Sequence, residues 1–77
     1  MKNIETKIRE TMRQNIIAKR KELGITQGDL ANMVGLKTKT VGSWEQGLSS
    51  PDIDTIVLLL KIFDMDFYDF TGFDRES

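Results

Sequence analysis

Residues 26–47 read TQGDLANMVGLKTKTVGSWEQG, and this stretch decides the fold because it spells two short helices joined by one tight turn. Thr26 followed three residues later by Asp29 is a capping box: the hydroxyl accepts from the Asp29 amide and the carboxylate reaches back to the Thr26 amide. A helix therefore starts at Gln27. Leu30, Ala31 and Val34 recur at helical spacing on one face. Gly35 adopts positive φ without a Cβ clash, so the first helix stops there. Leu36 is expected to dip back into the core, and Val41 with Trp44 sets the inner face of a second helix that ends before Gly47, a left-handed cap. Helices this short must cross closely, and Ala31 is the small residue that permits the crossing.

Toward the N-terminus, Ile4, Ile8, Met12 and Ile16 repeat every four residues, as one stripe of a long helix does. Thr11 with Gln14 forms a second capping box, which starts a separate helix at Met12 instead. These are alternatives: one helix over 3–23, or a loosely helical arm over 1–11 ahead of a new start. The arm is the preferred arrangement, because isolated ends fray. Over 12–23 the inward set is Met12, Ile16, Arg20 and Leu23, and the helix ends at Gly24. Arg20 is the anomaly in that set, since a charge on an inward stripe is rarely tolerated unpaired.

Beyond Gly47, residues 48–51 form a loop and Asp52 is placed to cap the next helix. That helix, over 53–63, has Ile53, Ile56, Leu59, Leu60 and Phe63 as its core stripe. Val57, Leu58 and Ile62 put apolar surface on its other faces, so it is expected to be covered on more than one side. Asp64 tolerates the left-handed conformation and ends it. Phe67 and Phe70 predict a last short helix, and Phe73 leaves an aromatic in a polar tail. The expected fold is all-α with five helices, divided into an arm or helix extension (1–11), the main domain (12–70) and a tail (71–77).

At 77 residues the chain makes one small domain, whose core supplies only ~3–5 kcal/mol, so dimerisation would help it. It contains no Cys and no His, which removes zinc fingers, thiol nucleophiles and His-based triads together. The first ten residues, MKNIETKIRE, are charged and lack the apolar run of a secretory leader. The longest apolar run, over 56–60, is too short to span a bilayer. A cytoplasmic protein without membrane partner or cofactor is expected. The net charge of −1 conceals a polarity. Residues 1–47 hold nine Lys and Arg against five acids, whereas 48–77 hold two against seven. A basic face toward phosphates and an acidic end turned away would explain it, as would an acidic tail that keeps the chain soluble.

The order and spacing of Gln27, Leu30, Ala31, Val34, Gly35, Leu36, Val41, Trp44, Glu45 and Gly47 resemble the helix-turn-helix of the Cro and phage-repressor type, also called XRE-like. The resemblance continues through Ser50-Pro51 and the apolar helix beyond, covering 12–70. It implies a lambda-repressor-like fold whose second motif helix enters the major groove of double-stranded DNA. The outward N-terminal residues of that helix would read bases: Thr38, Lys39 and Thr40, with Ser43 one turn later. Lys39 donates to guanine O6 and N7 or, alternatively, to a phosphate. Lys37 stands where the family commonly has a Ser or Thr cap, so the start of the reading helix is expected to shift to Thr38 as its cap, at the expense of a base contact.

The family uses a Gln at the position of Gln27 to contact the DNA backbone, although its amide can also brace the neighbouring helix. Lys37, Gln46, Ser49 and Ser50 are further phosphate candidates. For Arg20 the alternatives are a phosphate contact and an ion pair with Glu45; the resemblance implies the pair, which is the preferred reading. Gly42 in the reading helix either admits the DNA backbone or weakens the helix. Trp44 at core spacing is packing rather than a stacking platform. Asp64, Asp66, Asp69 and Asp74 lack the glycine and terminal glutamate of a calcium loop.

The expected function is therefore a sequence-specific transcriptional regulator of the phage or bacterial repressor kind, and an antitoxin would carry the same pattern. It would act as a homodimer on a pseudo-palindromic operator, joined through Leu58, Phe70 and Phe73, with Val57 or Ile62 as possible additions. Cover of that apolar surface by Ile4 and Ile8 is the rival to the dimer. A protein-interaction module that kept the fold without specific DNA binding is the other class. Against it stands the absence of acids between Leu36 and Trp44. An enzyme is not expected.

Overall fold

The computed structural model describes residues 4–73, and each of its helices ends where the backbone has a local reason to stop. The order is α1 (Ile4–Glu22), α2 (Gln27–Met33), α3 (Thr38–Glu45), α4 (Ile53–Phe63) and α5 (Phe67–Thr71). The starts of α2, α4 and α5 are set by short polar side chains. Thr26 Oγ1 accepts from the Asp29 amide at 3.0 Å while Asp29 Oδ2 accepts from the Thr26 amide at 2.9 Å. Asp52 accepts from the Thr55 amide at 2.9 Å, and Asp66 from the Asp69 amide at 2.7 Å. These bonds hold the carboxyls of Asp29 and Asp52 below the ordinary carboxylate range.

Ends are set by a repeated backbone device. After each of the first four helices, two successive amides turn back onto the last turn: Gly24 and Ile25 to Lys21 and Arg20, Gly35 and Leu36 to Asn32 and Ala31, Gly47 and Leu48 to Trp44 and Ser43, Asp64 and Met65 to Lys61 and Leu60. The first of each pair is left-handed, and Asp64 takes that place at φ 54° without being glycine. This is the Schellman arrangement, which satisfies carbonyls the helix itself leaves open.

α1 runs unbroken through Thr11, so Thr11 and Gln14 start nothing and the single-helix alternative is the one adopted. At 19 residues it is about 28 Å long. Met12 and Ile16 are buried and Ile8 packs against them, whereas Ile4 lies in solvent. Leu23, expected in the core, is 49% exposed. The helix has already ended at Glu22, and the turn at Gly24 sends Ile25 inward in its place. Leu36 is likewise 39% exposed rather than buried. Its amide returns to α2, but Leu30, Val34 and Val41 already occupy the core there.

In α4 the buried set is Thr55, Ile56, Leu59 and Phe63. Ile53 is 62% exposed, contrary to expectation. At ~100° per residue, Thr55 lies nearer than Ile53 to the direction shared by Leu59 and Phe63. Leu60 and Ile62 pack at the edge of the core, while Val57 and Leu58 face solvent. Among the described residues, the all-round cover expected of this helix is thus absent on that side.

α5 closes the core against α1. Asn15 Nδ2 donates to the Phe70 and Asp69 carbonyls at 2.9 and 3.2 Å. A Cβ on Gly72 would stand 2.9 Å from Thr11 Cγ2, so the chain end passes α1 where only hydrogen fits. This docking drives Phe70 inward to full burial, its ring 6.2 Å from that of Phe63. Phe70 is therefore a core residue, and its expected place in a dimer interface is wrong. Thr71 is buried as the last residue of α5 rather than the first of a tail. Asp74 lies outside the described residues, among which no helix is long and apolar enough to cross a membrane.

Candidate nucleic-acid interface

α2 and α3 pack on each other, with Ala31 of α2 buried to 1% exposure. Two glycines lie at this contact. A Cβ on Gly28 would lie 3.3 Å from Thr38 Oγ1, and one on Gly42 would lie 3.5 Å from Gln27 Oε1. Gly42 is buried on the side of Gln27 rather than turned outward, and a Cβ there would have ordinary room, so the glycine weakens the helix without being sterically required. Val41 and Trp44 fix the inner side of α3 in the core.

The far end of α3 is held by a polar knot on Glu45. Arg20 donates through Nε to Glu45 Oε2 at 2.7 Å and through Nη2 to Oε1 at 3.1 Å, and its Nη1 caps the Ile25 carbonyl at 2.9 Å. Gln27 Nε2 donates to Glu45 Oε1 at 3.1 Å. The two charged side chains retain only 14% and 9% of their accessibility. Burial disfavours the Glu45 charge, but the bonds from Arg20 and Gln27, aided by the charges of Arg20 and Lys21, prevail and hold its carboxyl below 4.5. The same bond raises the Arg20 pKa. Gln27 thus braces α3, with its amide nitrogen occupied by Glu45.

Arg13 completes the knot. Seven residues before Arg20 and so on the same side of α1, it donates through Nη1 to the Glu45 carbonyl at 3.3 Å. The sequence reading missed it, although an Arg repeated at seven residues is the available signal. α1 therefore grips Glu45 twice, by backbone and by carboxylate.

This scaffold leaves one side of α3 turned outward. Lys37 is the N-cap, with extended backbone and no side-chain cap bond, and Thr38 is the first helical residue. The shift of the cap to Thr38 does not occur. Thr38 and Lys39 are exposed, Thr40 is half-buried, and Lys39 makes no ion pair among the described residues. Ser43 Oγ lies 2.8 Å from Ser49 Oγ, tying the helix to the loop that follows it. Lys37 at one end of α3 and Gln46, Ser49 and Ser50 at the other are all exposed.

Two short helices crossing at a tight turn, the second rigidly presented with an acid-free outward face, define a helix-turn-helix. The helix-turn-helix model HTH_3 matches residues 16–70, and the chain belongs to this family of XRE type, a class of DNA-binding domain. The fold is similar to that of a transcriptional regulator from Listeria innocua, with a TM-score of 0.79 and 24% identity over 86% of this chain. The match spans 62% of that neighbour's length. No curated protein sequence matches the chain.

Proposed function

We propose that this protein is a sequence-specific transcriptional regulator of the repressor kind that reads the major groove of double-stranded DNA with α3. The observation that carries the reading is the outward face of α3, where Thr38, Lys39, Thr40 and Ser43 stand on a helix gripped at its far end by α1 and α2. Lys39 is the one long cationic side chain there and reaches for guanine O6 and N7, while threonine methyls touch thymine. Lys37, Gln46, Ser49 and Ser50 flank this face and contact phosphates, which set register without reading sequence. Gln27 offers its helix N-terminus to a phosphate while its side chain braces Glu45.

The active form is a homodimer on a pseudo-palindrome whose half-sites lie ~34 Å apart. Val57, Leu58 and Phe73 on the apolar surface left open by α4 and the chain end support this assembly, for which Phe70 is no longer needed. The neighbour's description as a transcriptional regulator agrees with the reading. Selection of bound duplexes from a random pool tests it. Enrichment of one two-fold symmetric motif is expected. A flat pool would overturn sequence-specific reading and favour a protein-interaction module.

A further inference from the structure

The longest helix starts at Ile4, about three turns ahead of the family match, which begins at residue 16. On its flank lies a groove of about 550 Å³ between α1 and the loop after α3. Met12, Ile16, Trp44 and Pro51 form its buried floor, and Arg9, Arg13, Ser49 and Ser50 stand at its rim. The rim is joined to the reading helix by the Ser49 to Ser43 hydroxyl contact. Arg9 stands four residues before Arg13, hence on the same side of α1, and Arg13 touches the last carbonyl of α3. The two arginines have different duties. Arg13 is engaged by Glu45 and by Glu10, whose carboxylate it holds at 2.7 Å. Arg9 is exposed and makes no ion pair among the described residues.

We propose that Arg9, with Ser49 and Ser50 across the groove, clamps a phosphate of the DNA backbone beside the far end of α3. This rests on the DNA-binding reading above and adds a contact from outside the matched domain. With α3 in the major groove, the loop that leaves its C-terminal end meets the sugar-phosphate strand bordering that groove. Arg9 projects from α1 alongside the loop, and its planar fork suits two phosphate oxygens at once. The Glu10 carboxylate would repel a phosphate, but Arg13 binds it in place. The Ser50 hydroxyl opposite completes the slot as a donor, while Ser49 lines it with its own proton given to Ser43 Oγ. The helix extension therefore serves as a second hand on the backbone, fixing register without contributing to the choice of bases.

The test uses the full chain and its own selected duplex, with Arg9→Ala, Arg9→Lys and Lys7→Ala compared across 50–200 mM salt. Lys7 is exposed on another side of α1 and does not line the groove. One lost phosphate contact removes ~0.9 from the slope of log affinity against log salt. Across this range that is about 3.5-fold less salt sensitivity per protomer. Arg9→Ala should show this loss, with weaker binding at low salt, an unchanged motif and an unchanged melting temperature. Arg9→Lys should keep most of the slope. An Arg9→Ala protein with the wild-type slope overturns the clamp and leaves the DNA-binding reading intact. Equal flattening by Lys7→Ala also overturns it, by reducing the effect to net charge. A wild-type chain that binds no duplex overturns both.

Discussion

Replacing Glu45 by Gln keeps the shape of the knot and removes its charge. The carboxylate accepts three hydrogen bonds, two from Arg20 and one from Gln27. A carboxamide has one oxygen, so one side of the group must turn an N–H toward a donor. Hydrogen bonds to charged groups contribute ~1.5–3 kcal/mol each, and breaking a fully buried pair costs ~3–5 kcal/mol. The slight accessibility of these side chains, 14% and 9%, places the expected loss lower, at ~2–4 kcal/mol. For a domain this small ~3 kcal/mol lowers Tm by about 12–24 °C.

Arg20→Ala should be at least as damaging, since it leaves the carboxylate with only Gln27. Arg20→Met combined with Glu45→Leu should cost less than the two single losses summed, because no charge is stranded. The pH dependence has a definite sign. Folding lowers the Glu45 pKa from 4.5, so its contribution is complete above about 4.5 and is lost as the pH falls through the folded value. Thermal melts of wild type and Glu45→Gln should therefore differ most near neutrality and converge in acid. Unchanged melting for both Arg20→Ala and Glu45→Gln, or a gap independent of pH, would refute the reasoning.

Lys39→Ala should relax the preference at one symmetric base pair of the selected motif, at ~1–3 kcal/mol per half-site, whereas Lys37→Ala should weaken all sequences alike. An unaltered motif with a shallower salt slope would make Lys39 a backbone anchor. Leu58→Glu should turn a sedimenting dimer into a monomer; a native chain already monomeric at high micromolar concentration would discard that interface. Gly42→Ala should stabilise α3 by up to ~1 kcal/mol through helix propensity, because the new methyl meets Gln27 Oε1 at an ordinary 3.5 Å. A lower melting temperature would mean that the brace of Gln27 on Glu45 had been displaced.

Helix starts and stops were legible in the sequence at Thr26, Asp52, Gly35, Gly47 and Asp64, because a cap is a contact between residues three or so apart. The inner positions Leu30, Ala31, Val41, Trp44, Leu59 and Phe63 were legible too, since one helical face must be apolar in any packing. Periodicity identifies a face but not where the core ends along it. That limit explains Leu23, Leu36 and Ile53, apolar residues on plausible stripes that fall past the edge of the neighbouring helices. It also explains Phe70, which resembles tail surface until Asn15 and Gly72 dock α5 on α1.

At the interface the division is similar. The outward face of α3 follows from its buried face, so Thr38 and Lys39 could be placed from spacing alone. The occupation of Gln27 by Glu45, the closeness of Gly28 and Gly42 to the opposite helix, and the grip of Arg13 on the Glu45 carbonyl depend on how three helices cross. Local hydrogen bonds and helical period are properties of consecutive residues and were determined by the sequence by itself. Contacts between residues 18 to 55 positions apart exist only once the helices have packed, and the tertiary structure alone decided which polar groups were spent on the fold and which remained for a ligand.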